Sequence, residues 1–235
     1  MRGCERPVGN NATVFDLDRD APALAEASFR EVRCCCYIAS VGDFADTLTN
    51  DERAYVQGVA PRRALEFSSG RRVAREALRA IDSEQLEVGR EGRRPVWPTD
   101  VVGTISHTRV LAAAAVCRRG AIAGLGLDLE RDQAVSEEVG RRIMVDAEGE
   151  WCEARDPHWR SMVFGAKEAI YKAVNPIVGE FIEFEDVAIE VDEVARTFSA
   201  RCVKPKRSQS LVASGQGYYE VYRDHWLSLF VVPPS

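Results

Sequence analysis

The chain has 235 residues, with 37 acidic against 31 basic side chains and a formal net charge of −6. A content of 46% hydrophobic and 29% charged residues is that of a globular protein with a core, which excludes a disordered or fibrous chain. The acidic balance argues against a protein whose main partner is nucleic acid or a membrane surface, since either demands a net basic field.

Residues 1–30 are polar and turn-rich and read as an extension. They contain no apolar segment of signal-peptide length and the chain has no run of about 18 apolar residues, so a cytoplasmic protein is expected. The segment EVRCCCYIASV reads as a buried strand. The seven cysteines are odd in number and show no CxxC or His/Cys metal spacing, so Cys34–Cys36 are expected as core thiols without disulfide or zinc. From Asp51 to Ile81 the pattern is helical, with Thr49, Asn50 and Asp51 as candidate caps and a break at Pro61. Leu65, Val73, Ala74, Ala77, Leu78 and Ile81 recur at helical spacing, and Arg71, Arg75 and Arg79 form a basic stripe on another face. Arg79 reads as solvated.

The stretch GREGRRPVWPTD is expected as loop, leading into a strand at Val101–His107. Leu111–Cys117 and Ala121–Glu130 read as strands joined at Arg118–Gly120, followed by helices at 136–155 and 161–174. Asp186–Val191 and Tyr218–Val232 read as closing strands, with 204–217 as a loop. The whole is mixed α and β without the alternation of a doubly wound sheet. Arg75-Glu76-Ala77-Leu78 echoes Lys167-Glu168-Ala169-Ile170, which suggests two similar halves meeting at a cleft.

In the strand AGLGLDLE, alternation turns Leu125, Leu127 and Leu129 one way and Gly124, Gly126, Asp128 and Glu130 the other. Two glycines beside two carboxylates read as room for a ligand and oxygen donors for a hard cation. In the helix MVFGAKEAIYKAV, Val163, Ala166, Ile170, Ala173 and Val174 form the apolar face, and Glu168 precedes Lys172 by one turn. By itself that spacing reads as a surface ion pair; a site at Asp128 and Glu130 that needs a third carboxylate would draw on Glu168 instead. Magnesium held by few carboxylates points to a phosphorylated substrate. Ser106, His107, Arg94, Arg71 and Arg75 supply donors and positive charge for its phosphates. No P-loop, dinucleotide-binding GxGxxG, GxSxG elbow or HExxH is present.

The ordered set RRPVWP, GTISH, GLGLDLE and FGAKEAIYKA resembles the 4′-phosphopantetheinyl transferases of the Sfp and enterobactin-synthase type, over roughly residues 51 to 232. The resemblance implies an α+β fold of two similar halves with a pseudo-twofold relation, 1–119 and 120–235, with the active site between them. By resemblance, Asp128, Glu130 and Glu168 match the magnesium ligands, with manganese as an alternative ion. Ser106 and His107 match coenzyme A contacts, His107 at the 3′-phosphate. Arg94, Arg71, Arg75 and, less closely, Arg63 match the group that holds the nucleotide phosphates. By the same resemblance Asp128 would also engage the coenzyme A pyrophosphate, and Lys172 would assist the leaving group. Glu168 is the first candidate for the base and Glu148 the second.

The implied reaction moves 4′-phosphopantetheine from coenzyme A to a serine of an apo acyl, peptidyl or aryl carrier protein and releases 3′,5′-ADP. A monomer is expected. The pathway, whether fatty acid, polyketide, nonribosomal peptide or siderophore, stays open, although the WP loop resembles the siderophore and secondary-metabolite branch. Two other readings are a non-catalytic module of the same fold that binds coenzyme A or a carrier, and a hydrolase that removes the arm. Thr104 and Gly165 stand where the family often has serine, and Leu129 fills the acidic triplet.

Overall fold

The computed structural model describes residues 15–16, 25–29 and 32–234. Among these, the strands are β1 (Phe15–Asp16), β2 (Ala25–Phe29), β3 (Val32–Ser40), β4 (Gly89–Glu91), β5 (Arg94–Val96), β6 (Val101–His107), β7 (Leu111–Arg118), β8 (Gly124–Arg131), β9 (Val187–Asp192), β10 (Thr197–Cys202), β11 (Gln216–Tyr222) and β12 (His225–Val232). The α-helices are α1 (Asn50–Gln57), α2 (Pro61–Ala80), α3 (Glu137–Ile143), α4 (Asp146–Glu153), α5 (Trp159–Val178) and α6 (Gln209–Ser214). No described helix is long and apolar enough to cross a membrane.

One sheet runs β1-β3-β7-β6, with β2 on the same edge of β3 as β1; the other runs β8-β12-β11-β10-β9. They lie back to back. Cys34, Cys36, Ile38, Ala113, Ala115 and Cys117 of the first face Leu125, Leu127, Leu129, Leu227 and Val231 of the second. The opposite face of the first sheet, with Cys35, Tyr37, Ala112 and Val116, packs on Val73, Ala74, Ala77 and Leu78 of α2. Phe230, Phe198 and Trp226 of the second pack on Met162, Ala166, Ala169, Ile170 and Ala173 of α5. The layers therefore run helix, sheet, sheet, helix, and each sheet carries one 20-residue helix on its outer side. The α+β class and the paired architecture are as expected, and the cysteine run is core.

The helix starts follow local chemistry. Thr49 caps α1 in a capping box with Glu52, and Pro61 opens α2, where its missing N–H costs nothing. Gly179, at φ +64, ends α5 in the left-handed conformation.

Several expectations change. The stretch before Val101 is a β4–β5 hairpin turning at Gly92 (φ +59), not only loop. The helical region 136–155 is two helices, the second closing strand is the β11–β12 hairpin, and part of the loop 204–217 is α6. Of the polar opening, residues 15–16 and 25–29 are strands on β3, and the remainder lies outside the described residues.

Candidate active site

The site is built around β6, whose alternation sends consecutive side chains to two different places. Thr104 and Ser106 are buried and point to β8, the facing edge of the second sheet. Thr104 Oγ1 accepts from Leu127 N (3.1 Å) and Ser106 Oγ accepts from Leu129 N (3.3 Å), so two side chains satisfy amides that no neighbouring strand pairs. Ile105 and His107 point the other way, into a basic cleft. Gly103 carries the indole of Trp97: a Cβ there would come within 2.5 Å of the ring. That gives the WP loop a packing role against β6.

On the β8 side, Ser106 Oγ donates to Asp128 Oδ1 at 2.8 Å, and the Lys172 ammonium donates to the same oxygen at 2.5 Å, to Ser106 Oγ at 3.2 Å and to the Leu127 carbonyl at 3.2 Å. Asp128 Oδ2 is buried without a hydrogen-bond partner, and so is Oγ of Ser228, its cross-strand neighbour in β12. Gly165 of α5 lies against them; a Cβ there would sit 3.5 Å from Asp128 Oδ2 and from Glu130 Cγ, and 3.4 Å from Ser228 Oγ. Burial, then the adjoining Asp128 carboxylate, push the Glu130 carboxyl up to about 7, with Glu168 adding to the rise and Lys172 opposing it. Glu168 is also raised, by burial first and Asp128 second. Asp128, Glu130, Glu168 and Lys172 are thus one electrostatic cluster. Among the described residues, however, no three carboxylate, imidazole or thiol groups stand already arranged to hold a metal.

The glycines of β8 serve a different purpose from the expected ligand space. A Cβ on Gly124 would meet the Ala173 carbonyl oxygen at 2.4 Å, and one on Gly126 the Ala169 carbonyl oxygen at 1.8 Å. They let α5 lie directly on the strand, and that contact brings Glu168 and Lys172 to Asp128.

On the other side of β6, a cleft of about 460 Å³ is lined by Tyr55, Arg63, Phe67, Arg71, Arg90, Arg93 and His107 among others. Arg63 Nη1 lies 2.6 Å from His107 Nε2, and Glu66 lies 3.8 Å from both Arg63 and His107. Burial lowers the His107 pKa, Glu66 opposes that, and Arg63 and then Lys172 add to the lowering, so the cleft and the acidic cluster feel each other across the strand.

Three sequence assignments move. Arg75 is buried against Glu52 and does not line the cleft. Arg94 in β5 does not line the cleft; Arg90 and Arg93 of the same hairpin, exposed like Arg94, do. Glu148 is 4% exposed and fully engaged: Oε2 lies 2.6 Å from Lys167 Nζ and accepts from Val145 N, and Oε1 accepts from Ile189 N. Both oxygens of this buried carboxylate are taken by protein donors, and it does not line the cleft. Its partner Lys167 is accordingly buried and does not lie on the polar face of α5. Sequence reading overlooked Glu52, Tyr55, Arg90, Arg93 and Ser228; the arginines flanking the Gly92 turn were the available signal.

The 4′-phosphopantetheinyl transferase N-terminal domain family matches residues 51–117, and the 4′-phosphopantetheinyl transferase superfamily matches residues 124–228. The chain belongs to the 4′-phosphopantetheinyl transferase superfamily. Its relatives include the 4′-phosphopantetheinyl transferase Svp of Streptomyces mobaraensis, 35% identical over 69% of this chain and 69% of that protein. The 4′-phosphopantetheinyl transferase PptT of Mycobacterium tuberculosis is 32% identical over 65% of this chain and 69% of that protein. Enterobactin synthase component D of Escherichia coli K12 is 32% identical over 54% and 63%. This phosphopantetheinyl transferase is therefore a transferase enzyme, and the N-terminal family ends within β7 while the superfamily match begins with β8.

Proposed function

We propose that the protein transfers 4′-phosphopantetheine from coenzyme A to a serine hydroxyl of an apo carrier protein and releases 3′,5′-ADP. The observation that carries this reading is the alternation of β6, which sets an arginine cleft and a carboxylate cluster one strand apart. One end of coenzyme A carries a phosphorylated nucleoside and its middle a pyrophosphate. Arg63, Arg71, Arg90, Arg93 and His107 suit the first, and Asp128, Glu130, Glu168 and Lys172 the second.

The donor set fits a divalent cation, magnesium or manganese, because Asp128 Oδ2 and Ser228 Oγ are buried without hydrogen-bond partners, and burial and then the neighbouring Asp128 carboxylate raise the Glu130 carboxyl. Asp128, Glu130 and Glu168 would hold that ion, which supplies neutralisation of pyrophosphate charge. The serine oxygen attacks the phosphorus bearing the pantetheine arm, the phosphorus–oxygen bond to the nucleotide breaks, and the serine proton passes to Glu168. Lys172 stabilises the departing phosphate, and the arginine cleft retains the nucleotide.

The test is incubation with coenzyme A, magnesium and apo acyl, peptidyl and aryl carriers, with mass spectrometry of the carrier serine. A phosphopantetheine adduct is expected. Tight coenzyme A binding with no adduct on any carrier would favour the non-catalytic module.

A further inference from the structure

Glu52 is a buried acid behind the arginine cleft, not in its lining. It lies on α1 at 7% exposure, and its carboxylate is shared. Oε2 accepts from Thr49 N at 2.9 Å and pairs with Arg75, while Oε1 lies 3.1 Å from Arg71 Nε. Arg71 Nη2 in turn donates to the Gly89 carbonyl at 3.0 Å, the first residue of β4. Arg71 Nη2 is hydrogen-bonded and Nε is ion-paired to Glu52 without a hydrogen bond, both away from the cleft that this residue lines. The same chain of contacts reaches the β4–β5 hairpin, whose Arg90 stacks 4.0 Å over Tyr55 and whose Arg93 completes the cleft. Burial pushes the Arg71 pKa down, Glu52 pushes it back up, and Arg75 and Arg90 push it down again.

We infer that Glu52 is a positioning residue: by gripping Arg71 and Arg75 it fixes the Arg71 guanidinium and the β4–β5 hairpin for one terminal phosphate monoester on the nucleotide, and so sets preference for coenzyme A over coenzyme A lacking its 3′-phosphate. The inference rests on the reading that this cleft holds the 3′-phosphate. Glu52 does not line the cleft, so its effect travels through Arg71 and Gly89. Glu52 supplies the one negative charge between two buried arginines, so neither guanidinium faces the other uncompensated.

The experiment measures KM and kcat for both nucleotides in the full-length enzyme, with wild type, Glu52→Gln and Glu52→Gln/Arg75→Gln. The double variant removes one positive and one negative charge, so the buried network keeps its net charge if the single variant does not fold. Wild type is expected to have a KM for coenzyme A at least tenfold below that for the 3′-dephospho form. In the double variant the KM for coenzyme A rises about tenfold, while the KM for the dephospho form and both kcat values stay within twofold. If the double variant recovers wild-type KM for coenzyme A, or both KM values rise together, Glu52 only supports the fold and the inference falls. If wild type itself shows no preference, the assignment of the cleft to the 3′-phosphate fails, whatever Glu52 does.

Discussion

The Lys172 ammonium and Asp128 Oδ1 lie 2.5 Å apart, and they tie the outer helix of the second sheet to the strand it covers. Asp128 is 4% exposed, so the pair balances the charge of a buried carboxylate. Lys172→Met leaves Asp128 with only the Ser106 hydroxyl, and we expect lower thermal stability as well as lower transfer. Asp128→Asn in the same background should restore much of the stability and none of the transfer, with a coupling of roughly 1–3 kcal/mol in a double-mutant cycle. Strictly additive stability losses would mean that the two groups do not interact.

Glu130 carries a pH dependence whose sign follows from its pKa. Folding raises that pKa from 4.5 to about 7, so its favourable contribution is present below 4.5 and is lost as pH rises through about 7. Glu130→Gln, neutral at every pH, should be more stable than wild type at about pH 8, by roughly 1–2 kcal/mol after discounting for solvent screening. The advantage should shrink to nothing near pH 4.5. Urea unfolding across that range reads it, and an offset that does not change with pH would overturn the assignment.

Gly126→Ala is expected to cost about 1–3 kcal/mol or more, because the new methyl meets the backbone of α5 and no flexible side chain can yield. Transfer should fall further than stability does, since the displaced helix carries Glu168 and Lys172. Gly149→Ala is the control: that helical position opens on empty space, and the exchange should stabilise by roughly 0.5–1 kcal/mol. Equal melting temperatures for Gly126→Ala and wild type would contradict the close packing.

Glu148→Gln removes the partner of a lysine that is itself 4% exposed. A cost of about 3–5 kcal/mol is expected from the uncompensated buried charge. The residual transfer should keep the shape of its pH profile, whereas loss of the acidic limb would restore Glu148 as the base.

Periodicity made much of this legible. The stripe Val73, Ala74, Ala77 and Leu78 read as the buried side of α2, and the three leucines of β8 read as core, because alternation and helical spacing report which side chains share a face. What lies across from that face is a long-range fact. Gly124 and Gly126 were on the correct side of the strand, but a ligand and a helix backbone both ask for a missing side chain. Arg75 and Glu148 misled for a related reason: a charged residue at a favourable spacing looks available until its buried partner, 23 residues away for Glu52 or 19 for Lys167, is brought in by the fold. The β4–β5 hairpin was hidden by its brevity, three residues on either side of a turn.

Thr104 and Ser106 are two residues apart, as are the amides of Leu127 and Leu129 that they accept from. A slip of one residue along this seam would set Gly103 and Ile105, neither with a hydroxyl, against those amides and leave two buried donors bare. The seam therefore works as a two-toothed gauge. The separation between the arginine cleft and the carboxylate cluster is set by which residues of one strand can accept a hydrogen bond.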